Sequence, residues 1–138
     1  MNLVWYGLIY TAMCLVIGAL ASLLPFLFTT TASSIISPMI PPLVAAWAEG
    51  SRAATNGKPP FESAQAWRAA GWMTVVATAV STVILFFTVP GIFAAFLEYP
   101  EVLGIFLGTL AGVLLVNRFA LTAGYRVRSN STTNGGQR

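Results

Sequence analysis

The stretch that decides the fold is residues 49–68, which read EGSRAATNGKPPFESAQAWR. It holds five of the eleven charged residues of the chain, and the segments on both sides of it are almost free of charge. Its centre, Asn56-Gly57-Lys58-Pro59-Pro60, combines a helix stop with two prolines that prevent a helix from continuing. These features predict a water-facing helical hairpin that joins the middle two of four membrane helices.

The composition indicates a chain that is dissolved in lipid. Of its 138 residues, 57% are hydrophobic and 8% are charged, whereas an average soluble domain is about 25% charged. Such a chain has too little polar surface to cover a globule of its size. Its basic residues flank apolar runs rather than cluster on one face, which is typical of a membrane protein and not of one that binds nucleic acid.

The lengths of the apolar runs set the number of helices. The uncharged run of 48 residues before Glu49 is too long for one crossing, because about 20 residues at 1.5 Å each cross a 30 Å core. A turn is therefore expected in the polar cluster at residues 29–34. We predict an all-α membrane fold with four transmembrane helices at about residues 3–28, 34–54, 62–89 and 102–125, forming a single domain over 1–128, with a disordered cytoplasmic tail over 129–138.

Three prolines lie early in the second predicted helix, at positions 38, 41 and 42. Proline lacks a backbone N–H and clashes with the preceding turn, so Pro41 and Pro42 are expected to cost backbone hydrogen bonds. We therefore predict a kinked or irregular start to this helix.

A cleavable signal peptide is not expected. Ala19-Leu20-Ala21 has the small-x-small form of a cleavage site. However, residues 1–7 contain no Lys or Arg, and the apolar run continues beyond the site.

The basic residues predict the orientation in the membrane. They lie in the central hairpin and after the fourth helix, and those that set the topology are Arg52, Lys58, Arg68, Arg126 and Arg128. Lys and Arg are enriched in cytoplasmic loops. We therefore predict a multi-pass protein of the bacterial inner membrane with both termini in the cytoplasm.

Two rows of residues are candidate contact faces. Gly104, Gly108 and Gly112 lie at four-residue spacing on the fourth helix, where small residues allow close approach of another helix. This helix-packing face is expected to contact a helix of the same chain or, alternatively, a second copy or a membrane-protein partner. The third helix carries a row of hydroxyls at Thr74, Thr78 and Thr82. We expect these hydroxyls to bond back to their own helix, and one wall of a substrate path is the functional alternative.

Arg118 lies inside the fourth predicted span, and Glu49 lies at a similar depth in the second. Arg118 alone can extend toward the headgroups. The alternative is an intramembrane ion pair between Glu49 and Arg118, since a buried charge is best tolerated when paired. Arg68 is a competing partner for Glu49.

Enzymatic chemistry is not expected. The chain has no His and no Asp, and it carries no nucleophile elbow, HExxH, CxxC or phosphate loop. No metal site, cofactor or catalytic residue is predicted.

The central stretch resembles a known group of proteins. Its features are Ala46-Trp47-Ala48, then Gly57-Lys58-Pro59-Pro60, then Glu62 with Trp67. This pattern is similar to a family of small four-helix bacterial inner-membrane proteins without a known activity, and the resemblance implies an inner-membrane location. The expected function is structural, accessory or partner-binding, and a small oligomeric transporter or channel subunit is the alternative.

Overall fold

The computed structural model describes residues 1–23, 37–88 and 99–135. These residues form α1 (Leu3–Leu23), α2 (Ile40–Thr55), α3 (Ser63–Thr88) and α4 (Pro100–Gly135), with a short 3₁₀ helix at Ser37–Met39 before α2. The all-α fold class is therefore confirmed. The turn expected at residues 29–34 lies outside the described residues.

Three helices, and not the predicted four, are long and apolar enough to cross a membrane. They correspond to Leu3–Leu20, Ser63–Thr88 and Leu103–Ser131 among the described residues. The helix α2 has 16 residues, or about 24 Å at 1.5 Å per residue, which is shorter than the hydrocarbon core of about 30 Å. The prediction that residues 34–54 form a transmembrane helix is therefore wrong, because the helix begins only at Ile40 and is shorter than the others.

The start of α2 is irregular, as predicted, but Pro41 and Pro42 do not remove the backbone hydrogen bonds that they were expected to remove. The 3₁₀ helix at Ser37–Met39 forms the entry, and α2 begins one residue before Pro41. Pro41 and Pro42 therefore fall in the first turn, where backbone N–H groups have no partner within the helix. Both prolines are buried against the bundle, so they contribute apolar packing without removing a helical hydrogen bond.

The central hairpin ends α2 as the sequence predicts. Gly57 has a φ of 66°, and its N–H donates to the Ala54 carbonyl while the Lys58 N–H donates to the Ala53 carbonyl. This pair of bonds is a Schellman motif, which requires a left-handed residue just after the helix. The prediction of a stop at Asn56-Gly57 is confirmed.

The helices form a bundle in which α1 is parallel to α3 and α2 is parallel to α4. Two contacts in each pair define the directions, because the residue numbers rise together along both helices. They are Gly7 to Val76 and Tyr10 to Ser81 for the first pair, and Ser51 to Gly124 and Thr55 to Arg128 for the second. The core is built of small and aromatic side chains, with Tyr6, Ala46, Met73 and Leu121 fully buried. The start of α1, the end of α2, the start of α3 and the end of α4 therefore lie at the same end of the bundle, called the basic end below.

The helix α4 extends beyond its predicted end. The sequence predicts disorder after residue 128, but α4 continues to Gly135. Ser129 and Ser131 donate their hydroxyls to the carbonyls of Arg126 and Arg128 in the preceding turn. Such bonds satisfy the polar side chains along the helix itself, so the composition of this segment does not prevent a helix.

Candidate functional site

A chain of buried hydrogen bonds links three helices in the centre of the bundle. The Tyr6 hydroxyl of α1 donates to Asn117 Oδ1 of α4 at 2.9 Å, and Asn117 Nδ2 donates to Thr74 Oγ1 of α3 at 3.2 Å. Tyr6 and Asn117 are fully buried. Thr74 in turn donates to the Ala70 carbonyl at 2.8 Å. The polar side chains of this network are therefore all hydrogen-bonded, and the network fixes the register of α1, α3 and α4.

A second hydroxyl contact lies farther from the basic end. The hydroxyls of Tyr10 and Ser81 are 2.8 Å apart, and the ring of Tyr10 stacks on Tyr6 with centroids 6.1 Å apart. A cavity of about 100 Å³ adjoins this contact, and Thr78, Thr109 and Leu110 are among its lining residues. It is a small pocket with hydroxyl groups in a mainly apolar wall.

The threonine row behaves mainly as expected. Thr74 and Thr78 donate their hydroxyls to the carbonyls four residues earlier, each at 2.8 Å. Thr82, the third member, lines the small cavity beside Thr78. The back-bonding predicted for this row is confirmed for its first two members, and the second and third also border a cavity.

Glu49 is the most deeply buried charged residue of the basic end. Its side chain has 2% of its surface exposed, and its Oε1 accepts a hydrogen bond of 2.6 Å from the backbone N–H of Asn2. Its Oε2 lies 3.8 Å from Arg52 Nη1. That distance is an ion pair but not a hydrogen bond, and both atoms are buried without a hydrogen-bond partner.

Arg52 is held between the carboxylate and an aromatic ring. Its guanidinium carbon lies 5.2 Å from the centroid of the Trp5 ring, which is within the range of a cation–π contact. Arg52 and Glu49 open onto a cavity of about 410 Å³, which Asn2, Asn56 and Lys58 also line. Burial, and then the neighbouring Lys58, lower the pKa of the Met1 amino group beside this cavity.

The ion pair between Glu49 and Arg118, which the sequence offered as an alternative to an unpaired Arg118, is absent from the described part of the chain. Arg118 lies over the Trp67 ring, 5.6 Å from its centroid, and its Nη1 donates weakly to Thr122 at 3.4 Å. Neither Arg118 nor Arg68 is within ion-pair distance of Glu49 in the described part of the chain. The physical reason is depth as well as direction. Ser51 lies beside Gly124 and Thr55 beside Arg128, so Glu49 is level with Thr122, about one helical turn from Arg118. In addition, Glu49 bonds to Asn2 just before α1, whereas Arg118 lies over Trp67 of α3.

The predicted glycine face is only partly a packing face. A Cβ added at Gly104 or at Gly108 would meet none of the described residues within 4 Å, whereas one added at Gly112 would lie 2.8 Å from Met39 Cε. Among the described residues, only Gly112 of the three therefore packs closely against another part of the chain. Within the described residues, the contact of α4 with α2 begins near Gly112.

Two other glycines, which sequence reasoning missed, hold α2 against α4. A Cβ added at Gly50 would collide with the backbone carbonyl of Leu121, and one added at Gly124 would collide with the carbonyl of Trp47. Each glycine follows a small residue by four positions, Ala46 before Gly50 and Ala120 before Gly124. This small-xxx-small spacing was the available signal.

Most of the residues predicted to set the topology lie together at the basic end. Arg128 Nε donates to Thr55 Oγ1 at 3.2 Å, and the Tyr125 hydroxyl donates to the Lys58 carbonyl at 2.7 Å. The central hairpin and the second half of α4 are therefore in direct contact. Arg68 and Arg126 are exposed on the helices that form this end.

The described residues contain no group of three or more His, Cys, Asp or Glu side chains that could hold a metal ion. A comparison with known protein families, with curated proteins and with solved structures finds no match.

Proposed function

We propose that this chain is a multi-pass protein of the bacterial inner membrane that binds another membrane-embedded helix through the first half of α4 and has no catalytic chemistry of its own. The partner helix belongs to a second copy of the chain or to a different membrane protein. The observation that carries the proposal is the surface at Gly104 and Gly108, where an added Cβ would meet none of the described residues within 4 Å.

The surroundings of these glycines suit a helix–helix contact in lipid. Leu103, Ile105 and Leu107 are all exposed beside them. In lipid, exposed apolar side chains alone give no drive for association, because lipid tails are equally apolar. Small residues favour association, since they allow the backbones of two helices to approach closely and gain van der Waals contact. The pair Gly104 and Gly108 is therefore the part of this surface most suited to a partner.

The partner-binding proposal is tested by Gly108→Leu, with Gly18→Leu as a matched control. Gly18 is also open, with nothing within 4 Å of an added Cβ, and it lies on α1 toward the same end of the bundle. Both variants should keep the thermal stability of the unmodified chain in detergent. Crosslinking in native membranes should lose a specific product in Gly108→Leu and retain it in Gly18→Leu. Equal crosslinking in both variants would contradict the proposal.

The orientation proposal places the basic end in the cytoplasm, together with both termini. It is supported by the contact between the hairpin and the end of α4, since Lys58, Arg126 and Arg128 would otherwise all be exported. Reporters that are active only in the periplasm should be silent when fused at residue 58 or after residue 138. They should be active near residues 31 and 98, two positions that lie outside the described residues. Activity at residue 58 would refute this orientation.

A small oligomeric transporter or channel subunit is the second candidate. The hydroxyl-lined cavity of about 100 Å³ beside Tyr10 and Ser81 favours it. Against it, the described lining of this cavity contains no acidic or basic side chain, whereas such residues usually mark a path through a membrane. If this candidate is correct, proteoliposomes should show a solute or ion flux that Ser81→Ala and Thr78→Val reduce. Gly18→Leu should leave that flux unchanged.

A further inference from the structure

A polar cavity of about 410 Å³ lies at the basic end, between the start of α1 and the end of α2. Glu49 is among its lining residues and is 98% buried, since 2% of its surface is exposed. Its Oε2 and the neighbouring Arg52 Nη1 are both buried without a hydrogen-bond partner. A carboxylate oxygen and a guanidinium nitrogen left in this state are costly, because each has lost water without gaining a bond. A ligand that supplies a donor to one and an acceptor to the other would remove this cost.

We propose that this cavity binds a compact zwitterion with a primary ammonium and a phosphate, presented as the headgroup of an ethanolamine phospholipid. Neither Glu49 Oε2 nor Arg52 Nη1 is open to the cavity in the free protein, so binding includes a rotation of these two side chains. The ammonium then donates to Glu49 Oε2, and the phosphate accepts from Arg52 and Lys58. These contacts are charge-assisted on both sides, which makes them stronger than neutral hydrogen bonds. The site is independent of partner binding, because Gly104 and Gly108 lie toward the opposite end of the bundle.

The signs of the charges select the ligand class. A simple anion would be attracted by Arg52, Lys58 and the Met1 amino group but repelled by Glu49, and a simple cation would meet the reverse. A ligand with both charges separated by a few ångströms matches the carboxylate and guanidinium, whose nearest atoms are 3.8 Å apart. A quaternary ammonium has no N–H to donate, so it cannot satisfy the free carboxylate oxygen. The cavity therefore favours an ethanolamine headgroup over choline or glycerol headgroups.

The position of the cavity suits a lipid headgroup. The candidate span of α1 begins at Leu3, and Asn2 and Leu3 both line the cavity. The cavity is therefore at the level where the apolar helix enters the interface. Trp5, under the Arg52 guanidinium, is 43% exposed, and tryptophan at this depth is typical of the headgroup region. A lipid could place its headgroup in the cavity while its tails remain against the exposed apolar side of α1.

Native mass spectrometry of the purified, delipidated full chain in detergent tests this proposal. The probes are phosphatidylethanolamine, phosphatidylcholine and phosphatidylglycerol of the same acyl chains, each added alone, and then free phosphoethanolamine as a competitor. The variants are Glu49→Gln, which keeps an acceptor for the Asn2 N–H, and Lys58→Gln, in the exposed hairpin. The matched control is Arg126→Gln, which removes an equal charge from the same end but does not line the cavity. Circular dichroism and a thermal melt check the fold of each variant.

The unmodified chain should bind phosphatidylethanolamine at least about tenfold more tightly than the other two lipids. Glu49→Gln should remove that preference, and Lys58→Gln should weaken binding of phosphatidylethanolamine about threefold, as expected for an exposed charge. Arg126→Gln should bind like the unmodified chain. If Glu49→Gln does not fold, the comparison of Lys58→Gln with Arg126→Gln decides.

Two results would overturn the assignment. The first is equal binding where a difference is expected. This means either that the unmodified chain binds the three lipids equally or that Lys58→Gln and Arg126→Gln bind phosphatidylethanolamine equally. Either outcome would show that the cavity does not recognise the headgroup. The second is displacement of phosphatidylethanolamine by equimolar free phosphoethanolamine. That result would assign the cavity to a soluble zwitterion and exclude the lipid.

Discussion

Gly124→Ala should destabilise the bundle, while Gly108→Ala should not. The added methyl at Gly124 would collide with the backbone carbonyl of Trp47. A carbonyl within α2 cannot rotate away as a flexible side chain would, so the two helices must move apart. At Gly108 the same methyl would have no neighbour within 4 Å in the part of the chain that the structure describes. The two substitutions are chemically identical, and both replace a glycine of α4.

The size of the effect follows from this comparison. Replacing glycine by alanine inside a helix is favourable by about 0.5–1 kcal/mol, and both variants gain this amount. Overpacking a well-packed contact costs about 1–3 kcal/mol, and only Gly124→Ala incurs this cost. The helix term cancels in the difference, so Gly124→Ala should be about 1–3 kcal/mol less stable than Gly108→Ala. Gly50→Ala should resemble Gly124→Ala, because its methyl would collide with the Leu121 carbonyl.

The assay is unfolding of the purified chain in mixed micelles with increasing sodium dodecyl sulfate, followed by tryptophan fluorescence. Equal stabilities of Gly124→Ala and Gly108→Ala would refute the close packing of α2 on α4. A larger loss in Gly108→Ala would restore the glycine row at 104, 108 and 112 as the packing face of the bundle.

The other predictions concern the buried polar groups. Tyr6→Phe and Asn117→Leu should show a coupling of about 0.6–1.7 kcal/mol in a double-mutant cycle of unfolding, the range for hydrogen bonds between membrane helices; additive effects would mean that the 2.9 Å bond contributes nothing. The double swap Glu49→Arg with Arg118→Glu should give no more folded protein than the worse single variant, since these residues do not pair. The double swap Glu49→Arg with Arg52→Glu should recover part of the loss, and failure to do so would argue against the pairing at 3.8 Å. Arg118→Lys should keep nearly full stability in the same unfolding assay, because it retains the cation beside an aromatic ring; a large loss would show that the planar guanidinium itself is required.

The parts of the fold that could be predicted are those fixed by local chemistry. Asn56-Gly57 ends a helix because glycine adopts the left-handed conformation that a Schellman motif needs, and the φ of Gly57 is 66°. The apolar runs locate α1, α3 and α4 because hydropathy depends only on composition along the chain. Neither inference needs to know which helix faces which.

The parts that failed depend on the direction in which a residue points. Small residues at four-residue spacing occur at Gly104 to Gly112 and again at Ala120 to Gly124, and both satisfy the requirement for close helix packing. Composition cannot choose between them, because the choice depends on which half of α4 lies beside α2. The shorter motif is the one that packs, and the longer one is largely open. Hydropathy likewise gave no sign that α2 begins as late as Ile40.

The close backbone contact between α2 and α4 also explains why Glu49 and Arg118 do not meet. Gly50 and Gly124 bring the two backbones together, so at these two positions there is no room for a large side chain between α2 and α4. Glu49 is therefore directed to one side, where the N–H of Asn2 meets it at 2.6 Å. Arg118 is directed to the other side, against Trp67. A carboxylate that faces away from Arg118 in this way has one oxygen without a hydrogen bond, and this is the oxygen to which the ammonium of the proposed zwitterion donates.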